Sequence, residues 1–165
     1  MAKDVPSTCE DSVLHRVPCY LSRDELINAA SALLLEDLVS QDRLSDPEEA
    51  VAFLKLTLAQ HPTEHFGVLF LTNKNRVIAY EHLFQGSIDT TTIHPRVIAQ
   101  RALALNAAAV ILAHNHPSGC SQPSTADRTS TRRMTQALEL VDIRVLDHLI
   151  VTPTEWTSLG RLGFL

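Results

Sequence analysis

The polarity pattern divides the chain into segments of two kinds. From residue 22, "SRDELINAASALLLEDL" has Ser22 followed three positions later by Glu25 and then apolar residues at helical spacing, which predicts a capped helix over 22–38. "DPEEAVAFLKLTLAQ" predicts a second over 46–60, with Asp46 as cap, Pro47 at the first helical position, Glu49 at N3, and an apolar stripe of Val51, Phe53, Leu54 and Leu58. At residue 64 the pattern changes to apolar, β-branched and aromatic runs. "EHFGVLFLT" and "RVIAYEHLFQG", joined at "NKN", predict a β-hairpin. "HPRVIAQRALALNA" (94–107) returns to helical spacing, and "AAVILAH" (108–114) reads as a short buried strand. A helix follows from about 124 to 141, then another buried strand, "IRVLDHLIVT" (143–152). The tail "TEWTSLGRLGFL" is assigned at most a short turn of helix.

The order helix, helix, β, β, helix, β, helix, β predicts an α/β fold, a mixed β-sheet sandwiched by helices, with an N-terminal helical extension. The division expected is 1–44 for a lead-in and helix and 45–165 for the main domain. The first twenty or so residues mix charge, Pro and Cys without a period and are read as a loosely ordered lead-in.

Composition narrows the function classes. The chain has 165 residues, 45% of them hydrophobic, enough for one ordinary soluble domain. The net charge of −5 argues against a protein built mainly to neutralise a phosphate backbone. That charge is uneven: residues 1–60 carry five basic and eleven acidic side chains, residues 61–165 nine and eight. Nucleic-acid contact through Arg128, Arg132 and Arg133 therefore stays open, though charge does not support it. Cys9, Cys19 and Cys120 are odd in number and form no CxxC pair, which indicates neither a disulfide framework nor a zinc finger and fits a reducing cytoplasm. No apolar leader and no membrane-spanning stretch is expected.

One stretch, "ILAHNHPSGCSQPSTAD" (111–127), asks for chemistry. In an extended strand His114 and His116 project to the same side with Cα atoms about 6.6 Å apart, within reach of one ion, while Asn115 points the other way. Asp127, beyond the loop "PSGCSQP", is placed to supply a third ligand and leave an open vertex for water. A rival reading of the same residues is structural, because Ser124 and Asp127 also fit the S-x-x-[DE] pattern of a helix N-terminus.

His114-x-His116, seven residues, Ser124, two residues, Asp127 resembles the JAMM (JAB1/MPN/Mov34) metalloprotease signature at every spacing. "EHFGVLFL", "HPRVIAQRALALNAAAVILAHNHPSG" and "VLDHLIV" are similar to its bacterial RadC-like branch, the UPF0758 group, from about residue 45 onward. The resemblance implies a cytidine-deaminase-like JAB/MPN fold, a Zn2+ ion on His114, His116 and Asp127, and hydrolysis of a peptide or isopeptide bond in a protein or peptide substrate. It implies Glu64 as general base and acid, with Glu81 as the less fitting rival, and Ser124 as the donor that stabilises an oxyanion. Longer members carry a helix-hairpin-helix segment; none is seen, so the short form common on mobile elements is expected.

Cys120 stands where such loops usually have an acidic residue, and is read chiefly as a loop thiol, with approach to the zinc as the alternative. His94 is read as structural at a helix start. His148 and Asp147 are candidates for hydrogen bonding to a ligand imidazole or within the core, and stay off the catalytic set. The letters "HNH" do not indicate an HNH endonuclease, since three adjacent strand residues cannot all face one ion. Two other classes of function remain: a DNA-repair-associated or mobile-element accessory protein whose metal is structural or vestigial, and a silent partner-binding module. Salt-sensitive DNA binding indifferent to chelator marks the former, and a complete ligand set counts against the latter.

Overall fold

In the computed structural model, which describes residues 20–86 and 93–165, all three helix starts marked by a capping pattern close as capping boxes: Ser22 with Glu25, Asp46 with Glu49, and Ser124 with Asp127. Each satisfies backbone N–H groups that a helix start leaves without intrahelical partners. The helices are α1 (Arg23–Ser40), α2 (Val51–Leu58), α3 (Pro95–Ala104) and α4 (Thr125–Glu139); a 3-10 turn, Pro47–Ala50, leads into α2. The lead-in, with Cys9 and Cys19, lies outside the described residues up to residue 19. Among those described, no helix is long and apolar enough to cross a membrane.

The strands are β1 (His65–Leu71), β2 (Val77–Gln85), β3 (Ala109–Asn115), β4 (Arg144–Val151) and β5 (Trp156–Ser158), in one mixed sheet of order β2-β1-β3-β4-β5. β1 and β2 form the expected hairpin, which reverses where Thr72 N–H donates to Arg76 O (2.9 Å) and Asn75 takes a φ of 59°. β1 runs antiparallel to β3, and β3 parallel to β4.

Side chains alternate across the sheet and sort the core into two layers. Leu69, Leu71, Ile111, Ala113 and Leu149 face the α1/α2 side with Phe53, Leu54, Leu38 and Leu44. Phe66, Val68, Val110 and Leu112 face the α3/α4 side with Ile98, Ala102, Met134 and Leu138. Gly67 is required by packing: a Cβ there would lie 2.6 Å from ring atoms of Tyr80 on the neighbouring strand.

The expected order had four strands, and the structure has a fifth. β5 was taken for a tail because "WTS" has only three residues and no apolar alternation of its own. It is held by tertiary contacts. Asp147, buried, accepts hydrogen bonds from Ser158 Oγ (2.6 Å) and from the amides of Gly160 (2.9 Å) and His148 (2.7 Å). Of the two expected roles of Asp147, hydrogen bonding within the core is the one observed: it pins the C-terminal turn and orients no ligand imidazole.

Candidate metal centre

β3 is buried at all seven positions, and its even-numbered side chains share the face on which α4 lies. His114 follows Val110 and Leu112 on that face. His116 is one residue past the strand, but its N–H still donates to Val151 O of β4 (3.1 Å), so the backbone stays extended and the imidazole stays on the side of His114. Gly119, at φ 82°, then turns the loop, with its N–H donating to His116 O (3.1 Å). Because β3 and β4 are parallel, the connecting α4 packs on one face with its N-terminus at the carboxyl end of β3. Asp127, in the first turn, is thereby brought to the histidines.

Nε2 of His114 lies 3.0 Å from Nε2 of His116 and 3.3 Å from Asp127 Oδ1; Nε2 of His116 lies 3.5 Å from Asp127 Oδ2. Tetrahedral ligands at bond lengths of about 2.0–2.1 Å stand about 3.3–3.4 Å apart, so these separations suit one zinc-sized ion. The donor set is a group that could hold a metal ion. The capping reading of Asp127 holds, and it leaves one carboxylate oxygen over. Oδ2 accepts the Ser124 N–H and hydroxyl, both at 2.7 Å, and closes the capping box. Oδ1 is buried, has no hydrogen-bond partner and faces His114. A buried carboxylate oxygen left so is costly unless a cation answers it.

Burial favours the neutral form of Asp127, yet contacts with His114, His116 and Ser124 outweigh it and hold the carboxyl well below its usual range. Asp127 in turn raises His116, against burial, with smaller contributions from the Cys120 carbonyl and the charge of Glu64. Around this centre lie Cys120 O, which accepts from His116 Nδ1 (2.8 Å), and His148, whose Nε2 is 2.8 Å from His114 Nδ1. His148 is fully buried, and desolvation together with the neighbouring His114 pushes its pKa well down. The Cys120 thiol is exposed and outside the donor group; the residue contributes its carbonyl.

Glu64 stands at the entry to β1 and borders a cleft with Phe66, Phe84 and His114. The β1/β3 register pairs Phe66 with His114, so two residues further back Glu64 approaches the level of His116. Its segment is clamped by Asn115 from the other face. Asn115 Oδ1 accepts the His65 N–H (2.6 Å), and its Nδ2 donates to Thr63 O (3.0 Å) and His61 O (3.3 Å). Glu81 is elsewhere, in a bidentate pair with Arg101 whose Nε–Oε2 contact is 2.7 Å. Behind Glu64, His65 stacks between His61 (3.7 Å, 4°) and His82 (4.6 Å, 20°). Burial, with the charges of His61 and His82, lowers His65 to about 4. His94 caps α3 through its backbone conformation, without a side-chain bond.

Sequence reasoning passed over Asn115 and also Thr131, whose Oγ1 donates to Asp127 O (2.6 Å) and lies 2.6 Å from His148 Nδ1. The available signal was an amide inside an otherwise apolar buried strand, and a threonine one helical turn after Asp127.

Residues 44–164 match the family described as RadC-like JAB domain. The chain is 49% identical over 146 residues to UPF0758 proteins of Cellvibrio japonicus and Pseudomonas fluorescens (strain Pf-5), covering 88% of this chain and 65% of each relative. It is 52% identical over 132 residues to a UPF0758 protein of Nitrosococcus oceani, covering 79% of this chain and 59% of that one. It thus spans less than two thirds of the length of these relatives.

Proposed function

The chain belongs to the RadC-like JAB domain family, and from that membership and the convergence of His114, His116 and Asp127 we propose a zinc-dependent hydrolase of JAMM type that cleaves an amide bond in a peptide or protein. The observation that carries this reading is a bare carboxylate oxygen at the centre: Asp127 Oδ1 is buried without a hydrogen-bond partner and lies 3.3 Å from His114 Nε2, a gap suited to one ion. Held by these three side chains, a zinc ion would supply a Lewis acid and would lower the pKa of the attacking water.

The chain's own residues do the rest. Glu64, at the rim of the cleft beside His114, takes a proton from the attacking water and hands it to the leaving amine. Ser124 supplies a hydroxyl donor for the oxyanion; its proton turns from Asp127 Oδ2, which keeps the Ser124 amide as partner. The nucleic-acid alternative gains little, since Arg128 lies over the Phe164 ring (4.6 Å) and donates to Pro123 O.

The test is metal content and turnover on one set of proteins. Wild type should carry one zinc per chain and cleave a member of a peptide and isopeptide panel; His116→Ala should carry none. Glu64→Gln should keep its zinc and lose hydrolysis. Wild type that binds no zinc overturns the reading, and full activity in Glu64→Gln overturns the role of Glu64.

A further inference from the structure

A closed run of hydrogen bonds joins two of the donors through residues outside the donor set. His114 Nδ1 is 2.8 Å from His148 Nε2, His148 Nδ1 is 2.6 Å from Thr131 Oγ1, and Thr131 Oγ1 is 2.6 Å from the backbone carbonyl of Asp127. His114, Thr131 and His148 are each at least 99% buried, so no solvent proton is at hand to repair a misdirected bond.

The direction of every bond follows from one end. A carbonyl oxygen can only accept, so the single hydroxyl proton of Thr131 goes to Asp127 O. Thr131 Oγ1 must then accept from His148, which places the proton of that neutral imidazole on Nδ1. His148 Nε2 is left with a lone pair and accepts from His114 Nδ1–H. The proton of His114 is thus held on Nδ1, and its Nε2 is bare where it faces Asp127 Oδ1. His116 Nδ1 donates to Cys120 O, so in its neutral form that imidazole too carries its one proton on Nδ1.

We propose that His148 and Thr131 are positioning residues that hold His114 in the Nδ1–H tautomer and so keep its Nε2 free as a metal donor. The inference deepens the zinc reading and rests on it for its metal, though the tautomer itself is a property of the metal-free chain. It also explains a buried histidine on β4: through His114 and Thr131 it ties β4 to β3 and to α4.

Two measurements test it. Nitrogen-15 NMR of the metal-free protein, at a pH where the imidazoles are neutral, should show His114 as Nδ1–H, with a shift toward mixed tautomers in His148→Leu and in Thr131→Val. Chelator-competed zinc titration should show affinity reduced about 10–100-fold in both variants. Thr131→Ser should retain wild-type affinity, as should His148→Gln, whose amide can accept from His114 and donate to Thr131. Should His148→Leu fail to fold, the Thr131→Val and Thr131→Ser pair decides the matter. The proposal falls if wild-type His114 is the Nε2–H tautomer, or if Thr131→Val leaves both tautomer and affinity unchanged. A wild type that shows the tautomer but binds no zinc overturns the hydrolase reading alone.

Discussion

Replacing Asn115 by alanine isolates the clamp that holds Glu64. The side chain is fully buried and makes three hydrogen bonds to the backbone of residues 61–65. Alanine leaves the buried His65 N–H without its acceptor, at a cost of about 1–3 kcal/mol. Each of the two carbonyls, at a partly buried position, loses a bond worth about 0.5–1.5 kcal/mol net, part of which water recovers. The expected destabilisation is about 2–4 kcal/mol, a large share of the roughly 5–15 kcal/mol that holds a domain together. In urea, with a slope of about 2 kcal/mol per molar, the midpoint should fall by about 1–2 M. Hydrogen exchange should localise the change, since the His65 amide is expected to lose protection ahead of the interior of β3. A loss below about 0.5 kcal/mol, within the range of an unremarkable surface substitution, with the His65 amide still protected, would refute the clamp.

The two duties of Asp127 separate by substitution. Asp127→Asn keeps an oxygen for the Ser124 amide and hydroxyl, so the cap of α4 should survive, while loss of the carboxylate's contacts with His114 and His116 should lower metal-free stability by about 1–3 kcal/mol. Zinc affinity should fall by more than about 100-fold, beyond the loss expected when only a ligand's supporting partner is removed; calorimetry and chelator competition read the two effects. For pH, the folded value of His65, about 4, lies below its ordinary 6.5, so the unfolded chain takes up a proton that the folded chain refuses. The stabilisation this provides is complete above pH 6.5 and is lost as pH falls toward 4. His65→Phe should therefore lose less stability than wild type between about pH 7.5 and about pH 4.5 in urea unfolding, and equal losses would refute the assignment.

Much of this molecule is legible from neighbours along the chain. Helix starts read correctly because a capping box is settled within four residues, and the hairpin because its turn lies between two β-patterned runs. The pairing of His114 with His116 follows from strand alternation, which is local as well. β5, the partners of Asp147 and the roles of Asn115 and Thr131 were not legible. Each depends on a partner from a distant segment: Ser158 and Gly160 on Asp147, residues 61–65 on Asn115, His148 on Thr131.

By itself the sequence determined which side chains have the chemistry to bind a metal, and on which face of the strand two of them lie. Only the tertiary structure decided that the carboxylate capping α4 keeps one buried oxygen bare beside His114, and that His148 and Thr131 stand behind that imidazole. Donor identity and strand periodicity are properties of the covalent chain. The direction of a hydrogen bond and the solitude of a buried oxygen exist only once β3, β4 and α4 have packed and excluded water.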